Sequence, residues 1–122
     1  MNARMFAYTA LCQICIHKTY SNLYLHKELD KAEQKDKGLI TTIVYGTLQN
    51  YRLCRYQWED LVQKLPKAET AVLLDMSAYQ LFYMDKLPAY AIINEAVEIA
   101  KKHGGKKQGA LVNAVLHKIM QR

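Results

Sequence analysis

The chain has 122 residues, 51% of them hydrophobic and 23% charged. That composition excludes an intrinsically disordered chain and suffices for one folded domain with a core that needs neither metals nor disulfides. Three cysteines cannot form a complete disulfide framework, so reduced thiols in a cytoplasmic setting are expected. The formal charge of +6 belongs to one end. Lys101, Lys102, Lys106, Lys107, Lys118 and Arg122 face no Asp or Glu after residue 100, while the other 11 basic residues are balanced by 11 acidic ones.

In chain order the periodicity is helical almost throughout. Ala3, Ala7, Ala10, Leu11 and Ile14 fall on one helical face. Arg4 with the apolar run to Ile16 loosely imitates a secretory signal, but His17-Lys18-Thr19-Tyr20 offers no small-residue cleavage site, so the segment reads as the first helix of the domain. Ser21-Asn22 is expected to cap a short helix carrying Leu23, Leu25 and Leu29. Asp36 is expected to cap a longer one, with Leu39, Ile40, Ile43, Val44, Thr47, Leu48 and Tyr51 as its stripe. Gly46 within that stripe suggests the close approach of another backbone.

Tyr56, Trp58, Leu61, Val62 and Leu65 continue an apolar pattern that Pro66 stops. The next helix is expected from about Lys67, with Val72, Leu73, Met76, Gln80 and Tyr83 on one side, ending before Pro88. Ile92, Ile93, Ala96, Val97 and Ala100 mark a helix that terminates at Gly104-Gly105, because glycine readily takes a left-handed closing conformation. Leu111, Val112, Val115, Leu116 and Ile119 form the last. No period-2 strand, repeat or low-complexity tract occurs, and the longest stretch free of Asp, Glu, Lys and Arg, Gly38–Tyr51, is too short to span a bilayer, so no membrane partner is expected. The sequence predicts an all-α bundle of six or seven helices.

Several patterns invite a chemical reading. Cys12 and Cys15 form a C-x-x-C pair, but a zinc site needs four ligands, and His17 lies only two residues on with no second pair behind it. Both thiols read as small core or boundary side chains. Residues 101–109 are rich in Lys and Gly but lack the order of a phosphate loop, and no strand precedes them. Lysines beside the free N–H groups opening the last helix still favour an anion. Asn94 and Asn113 read as helix-to-helix or helix-to-turn hydrogen-bonding residues. Glu95 and Glu98 lack a base, nucleophile or metal to make them catalytic. The nine tyrosines could stack on unpaired bases, although their helical spacing favours core packing for most.

Ala3-Arg4 with Ala7, Tyr20-Ser21-Asn22-Leu23, Lys35-Asp36 followed by Val44-Tyr45-Gly46-Thr47-Leu48, Pro88 with the run from Ile93 to Lys101, and Val112-Asn113-Ala114-Val115-Leu116 occur in that order. In these residues the chain resembles the NusB-like fold, and more narrowly the N-terminal domain of bacterial ribosomal RNA (cytosine-5) methyltransferases of the RsmB/Sun type. Gln49 and His117 stand where relatives often carry arginine, and no Asp accompanies Arg55–Trp58. The resemblance implies a single helical RNA-binding domain over residues 1–122. A methyltransferase domain using S-adenosylmethionine would lie outside these residues, so no catalytic, cofactor or metal residue is expected among them. The expected partners are RNA, ribosomal RNA in particular, and the protein's own methyltransferase domain. Phosphates would be held by Lys101, Lys102, Lys106, Lys107 and Lys118, with Arg4, Arg52 and Arg55 as additions, and tyrosines or His103 and His117 would touch bases. The rival reading is a protein-interaction module of the transcription-antitermination type, and a third is a domain that packs on its own catalytic domain.

Overall fold

A computed structural model describes residues 2–19, 21–84 and 86–122, without the side chains of Ser21 and Asn22. Tyr20 lies outside the described residues, as do the Ser21 and Asn22 side chains on which the expected cap depends. Six α-helices are found among the described residues: α1 (Ala3–Cys15), α2 (Ser21–Leu29), α3 (Gln34–Gln49), α4 (Tyr51–Tyr56), α5 (Ala68–Tyr83) and α6 (Ala89–Gln121). A single 3-10 turn, Glu59–Leu61, follows α4. No strand occurs among these residues, and the all-α expectation is met.

Helix α1 starts where Asn2 accepts a hydrogen bond from the Met5 backbone N–H at 2.8 Å, which satisfies one of the donors a helix start leaves free. Its stripe of Ala3, Ala7, Ala10 and Leu11 is buried as the spacing predicts. In α2, Leu25 is buried but Leu23 is 76% exposed, because residues two apart on a helix point to nearly opposite sides. Helix α3 begins earlier than expected. Glu33 occupies the cap position without a side-chain cap bond, and Asp36 falls in the first turn, where its charge still complements the helix dipole.

Gly46 does meet a close neighbour, but it is a ring and not a backbone. A Cβ added at Gly46 would lie 2.0 Å from Tyr79 Cζ of α5, and the Tyr79 ring is itself stacked on Tyr83, with centroids 5.2 Å apart. The α3 stripe stops at Leu48, and Tyr51 is 51% exposed because the chain breaks at Asn50 (φ −120°, ψ 20°) before α4. Beyond α4 the chain carries Trp58 into the core with none of its surface exposed, whereas Leu65 and Tyr56 face outward.

Helix α5 is buried from Thr70 to Ala78 without interruption, and its main packing partner is α6, with α4, α3 and α1 around it. The expected one-sided stripe is therefore an under-reading: Ala71, Leu74, Asp75, Ser77 and Ala78 are buried too. Tyr83 is the reverse case, lying at the exposed end of the helix.

Helix α6 is interrupted once, at Gly105, whose φ of 84° and ψ of −177° are not helical. That conformation is essentially reserved for glycine. It divides the helix into an arm over residues 89–104, burying Ile92, Ile93, Ala96, Ile99 and Ala100, and an arm over 106–121, burying Val112, Val115, Leu116 and Ile119. The break falls where the sequence places it.

Two alanine substitutions on α3 test the role of Gly46. Gly38 has nothing within 4 Å of an added Cβ, so Gly38→Ala should stabilise by about 0.5–1 kcal/mol through helix propensity. At Gly46 the same gain is opposed by a clash costing about 1–3 kcal/mol, so Gly46→Ala should lower the urea midpoint. A Gly46→Ala protein as stable as Gly38→Ala would show that the Tyr79 ring moves aside freely.

Candidate nucleic-acid interface

The basic end is built around the bend of α6. Lys101 and Lys102 close the first arm, Lys106 and Lys107 form the first turn of the second, and all four are exposed. Glycines let the two arms approach. A Cβ at Gly109 would lie 2.6 Å from Lys101 Cγ, so the stem of Lys101 crosses the bend over a bare backbone. A Cβ at Gly104 would meet Gln108 Cγ at 2.5 Å. The Gln108 amide oxygen accepts a hydrogen bond from the Thr70 hydroxyl at 2.5 Å, which ties the bend to the start of α5.

The lysines at the bend have little to neutralise them. Lys101 approaches Glu98 at 3.8 Å across one helical turn, with both side chains at least half exposed, and such surface pairs contribute little. Lys106 and Lys107 open a helix arm whose dipole is positive at that end, so their charges are unfavourably placed unless an anion joins them. The Lys101 and Lys102 side also borders a groove of about 500 Å³ lined by Asn2, Met5, Glu95, Glu98 and Ile99.

The other expected contact residues are not gathered at the bend. Lys118 is exposed on the second arm, three helical turns, about 16 Å, beyond Lys107 and on the same helix face. Arg52 is exposed on α4, which packs chiefly on α5, and its Nε–H donates weakly to the Tyr51 hydroxyl at 3.5 Å. Arg122 is held away by a two-pronged pair with Asp60, both contacts 2.7 Å, and donates to the Gln57 carbonyl at 3.0 Å.

Arg4 and Arg55 have partners inside the protein. The Arg4 guanidinium donates to the Gln80 side-chain oxygen at 2.7 Å and also pairs with Glu95, joining α1, α5 and α6. Arg55 grips Asp75 with two bonds, at 3.1 and 2.7 Å, lies 5.0 Å from the Trp58 ring centroid, and shares Asp75 with the Trp58 indole N–H at 2.8 Å. The carboxylate missing near Arg55 in sequence thus comes from α5. Burial raises the Asp75 carboxyl, while Arg55 and Trp58 oppose that shift. An isolated acid inside the apolar run Leu73-Leu74-Asp75-Met76 was the sequence signal for this pair, since a buried charge requires a partner.

One further expectation is corrected. Asn94 and Asn113 are exposed and do not bridge buried helices, because each falls on the outer face of its arm. Of the histidines, His103 is exposed at the bend with its ring 5.3 Å from that of Tyr8, and His117 is exposed on the second arm. Tyr51, Tyr56, Tyr83 and Tyr90 are exposed large aromatics, more than core packing alone would leave outside.

Cys12 and Cys15 are half-buried in α1 and Cys54 is buried in α4, all three as free thiols. Among the described residues no group of three or more His, Cys, Asp or Glu side chains converges as a metal site. Burial pushes the Cys54 thiol up to about 12 and Cys12 up to about 11, and raises Cys15 as well.

Replacing Asp75 with Ala strands Arg55 and the Trp58 indole and should cost about 3 kcal/mol in chemical denaturation. A loss under about 1 kcal/mol would mean that water replaces the carboxylate. Since only thiolates react readily, native protein at neutral pH should be alkylated by iodoacetamide far more slowly than denatured protein. Rapid native labelling of Cys12 would contradict the raised thiols.

The NusB family model matches residues 1–121. The chain is 40% identical, over 98% of its length, to the probable ribosomal RNA small subunit methyltransferase B of Bacillus subtilis, of which it covers only 28%. It is 31% identical to a transcription antitermination protein NusB of Syntrophomonas wolfei, over 84% of this chain and 78% of that protein. Among solved structures, Thermotoga maritima NusB superposes with a TM-score of 0.86 at 22% identity, over 98% of this chain and 89% of that one, which supports the fold. The chain belongs to the NusB family.

Proposed function

We propose that this chain is the RNA-binding domain of a small-subunit ribosomal RNA cytosine methyltransferase, holding RNA through the basic bend of α6. The observation that carries the reading is the exposed quartet Lys101, Lys102, Lys106 and Lys107, on the two sides of Gly105, in a segment with no acidic residue. Such a surface gains from phosphates what it loses to self-repulsion, and it holds a nucleic acid by its backbone without reading sequence. Lys118 extends the track along the second arm and Arg52 is a separate addition. Arg4 and Arg55, engaged with Glu95 and Asp75, act by holding the helices that frame the surface.

The methyltransferase branch is favoured by the 40% identity over nearly all of this chain. The chain spans about 28% of that relative's length, so S-adenosylmethionine chemistry would belong to the remaining part. A protein-interaction reading of the antitermination type has its own support in the exposed apolar residues Leu53, Tyr56, Phe82 and Tyr83 where α4 and α5 end, and in the antitermination relative matched over 78% of its length.

The test is RNA affinity as a function of salt. Replacing Lys106 and Lys107 together by Ala should weaken binding to structured RNA and reduce the salt slope by about one per lost phosphate contact. Stability should change by under about 0.5 kcal/mol, because both side chains are exposed. Unchanged affinity with the same slope would leave the bend a solvated connector and move the protein-interaction reading ahead.

A further inference from the structure

A second binding feature lies along α1 from the bend. Leu11, Ile14, Cys15 and Lys18 of α1 and its C-terminal turn, Thr47 and Leu48 of α3, Tyr51 and Arg55 of α4, and Val72 and Asp75 of α5 surround a cleft of about 410 Å³. Its walls are apolar, an exposed tyrosine stands at its edge, and two cations lie at its margin against a single carboxylate that Arg55 and Trp58 already engage. We propose that this cleft receives one unpaired nucleobase of a bound RNA, an inference that rests on the RNA-binding reading above.

Two observations point to a ligand. The Thr47 hydroxyl is buried, with the residue only 3% exposed, and is the buried side-chain polar atom without a hydrogen-bond partner among the described residues. Buried polar groups are normally satisfied, so an orphan hydroxyl on a residue of the cleft wall marks a place where a partner is missing. A hydroxyl both donates and accepts, which suits the edge of any base.

The second observation is Lys18, which holds a left-handed backbone at φ 61°. The Thr19 N–H donates to the Gln13 carbonyl at 3.1 Å and so closes α1 around it. Glycine would adopt this conformation without strain. A lysine there keeps a cation at the mouth of the cleft at some cost to stability, a pattern found where side chains serve binding.

The chemistry fits a base better than a free anion. Leu11, Ile14, Leu48 and Val72 offer apolar contact to a flat ring, Tyr51 offers a stacking face, and Lys18 can meet an attached phosphate. Of the cleft's own cations Lys18 is the one left for a phosphate, since Arg55 is engaged by Asp75, and continuity with the bend favours RNA over an unrelated small molecule. Tyr8 touches His103 at the bend, and Ile14 is six residues, about 9 Å, farther along the same helix.

The probe is a short unstructured RNA, titrated in parallel with a duplex RNA of equal length. The expected result is that Tyr51→Ala weakens single-strand binding about tenfold and Thr47→Val about fivefold. The salt slope should not change, since neither residue meets a phosphate, and duplex binding should stay at the parent's level. Thr47→Val removes an unsatisfied hydroxyl at nearly constant shape, so its melting temperature should not fall, and this separates binding from folding. Variants that bind the single strand as the parent does would overturn the cleft assignment while leaving the RNA reading intact, with an ordered water alone on Thr47. Equal losses on single strand and duplex would also overturn it. A parent protein that binds neither RNA even at low salt would overturn both.

Discussion

Helix α5 is enclosed by its neighbours over most of its length, so each of its buried polar side chains has to be answered from another element or from its own backbone. Thr70 donates to Gln108 at the bend of α6, Asp75 accepts from Arg55 and Trp58, and Gln80 accepts from Arg4 of α1. Ser77 bonds within the helix, to the Leu73 carbonyl at 2.8 Å. Burying these groups unpaired would cost more than the bonds contribute net. The polar residues of α5 therefore fix which helix lies where. Apolar packing supplies most of the driving force but would tolerate more than one arrangement.

The basic surface depends on those ties. Gly105 supplies the break, but the direction of the second arm is held by the Thr70–Gln108 bond at one end and by Arg122 on Asp60 and Gln57 at the other. Between these anchors Val112, Val115, Leu116 and Ile119 seal the arm onto the core, and the remaining faces, with Lys106, Lys107 and Lys118, are left to solvent. A helix pair anchored at both ends carries these charges on its outer side, with the direction of each arm fixed by the core.

Arginine serves a different purpose from lysine in this chain. Arg4, Arg55 and Arg122 are engaged by carboxylates, where a planar fork can hold two acceptors or brace two helices at once. The basic residues exposed at the bend are lysines, compact and strongly hydrated charges on flexible stems. Arg52, exposed on α4, is the arginine left over from this division.

By itself the sequence determined the all-helical class, the apolar faces of α1 and of both arms of α6, the break at the paired glycines and the one-sided charge, because periodicity, glycine conformation and local charge are properties of neighbouring residues. The family resemblance was equally legible, being carried by short motifs in order. Only the tertiary structure decided which charges are free. Arg4 and Lys106 look alike in sequence, yet one meets Glu95, 91 residues away, and the other meets solvent. The same holds for Gly46 against Tyr79, for the outward faces of Asn94 and Asn113, and for the orphan hydroxyl of Thr47. Each depends on what another helix brings alongside, and no local pattern records the partner that a residue distant in sequence will supply.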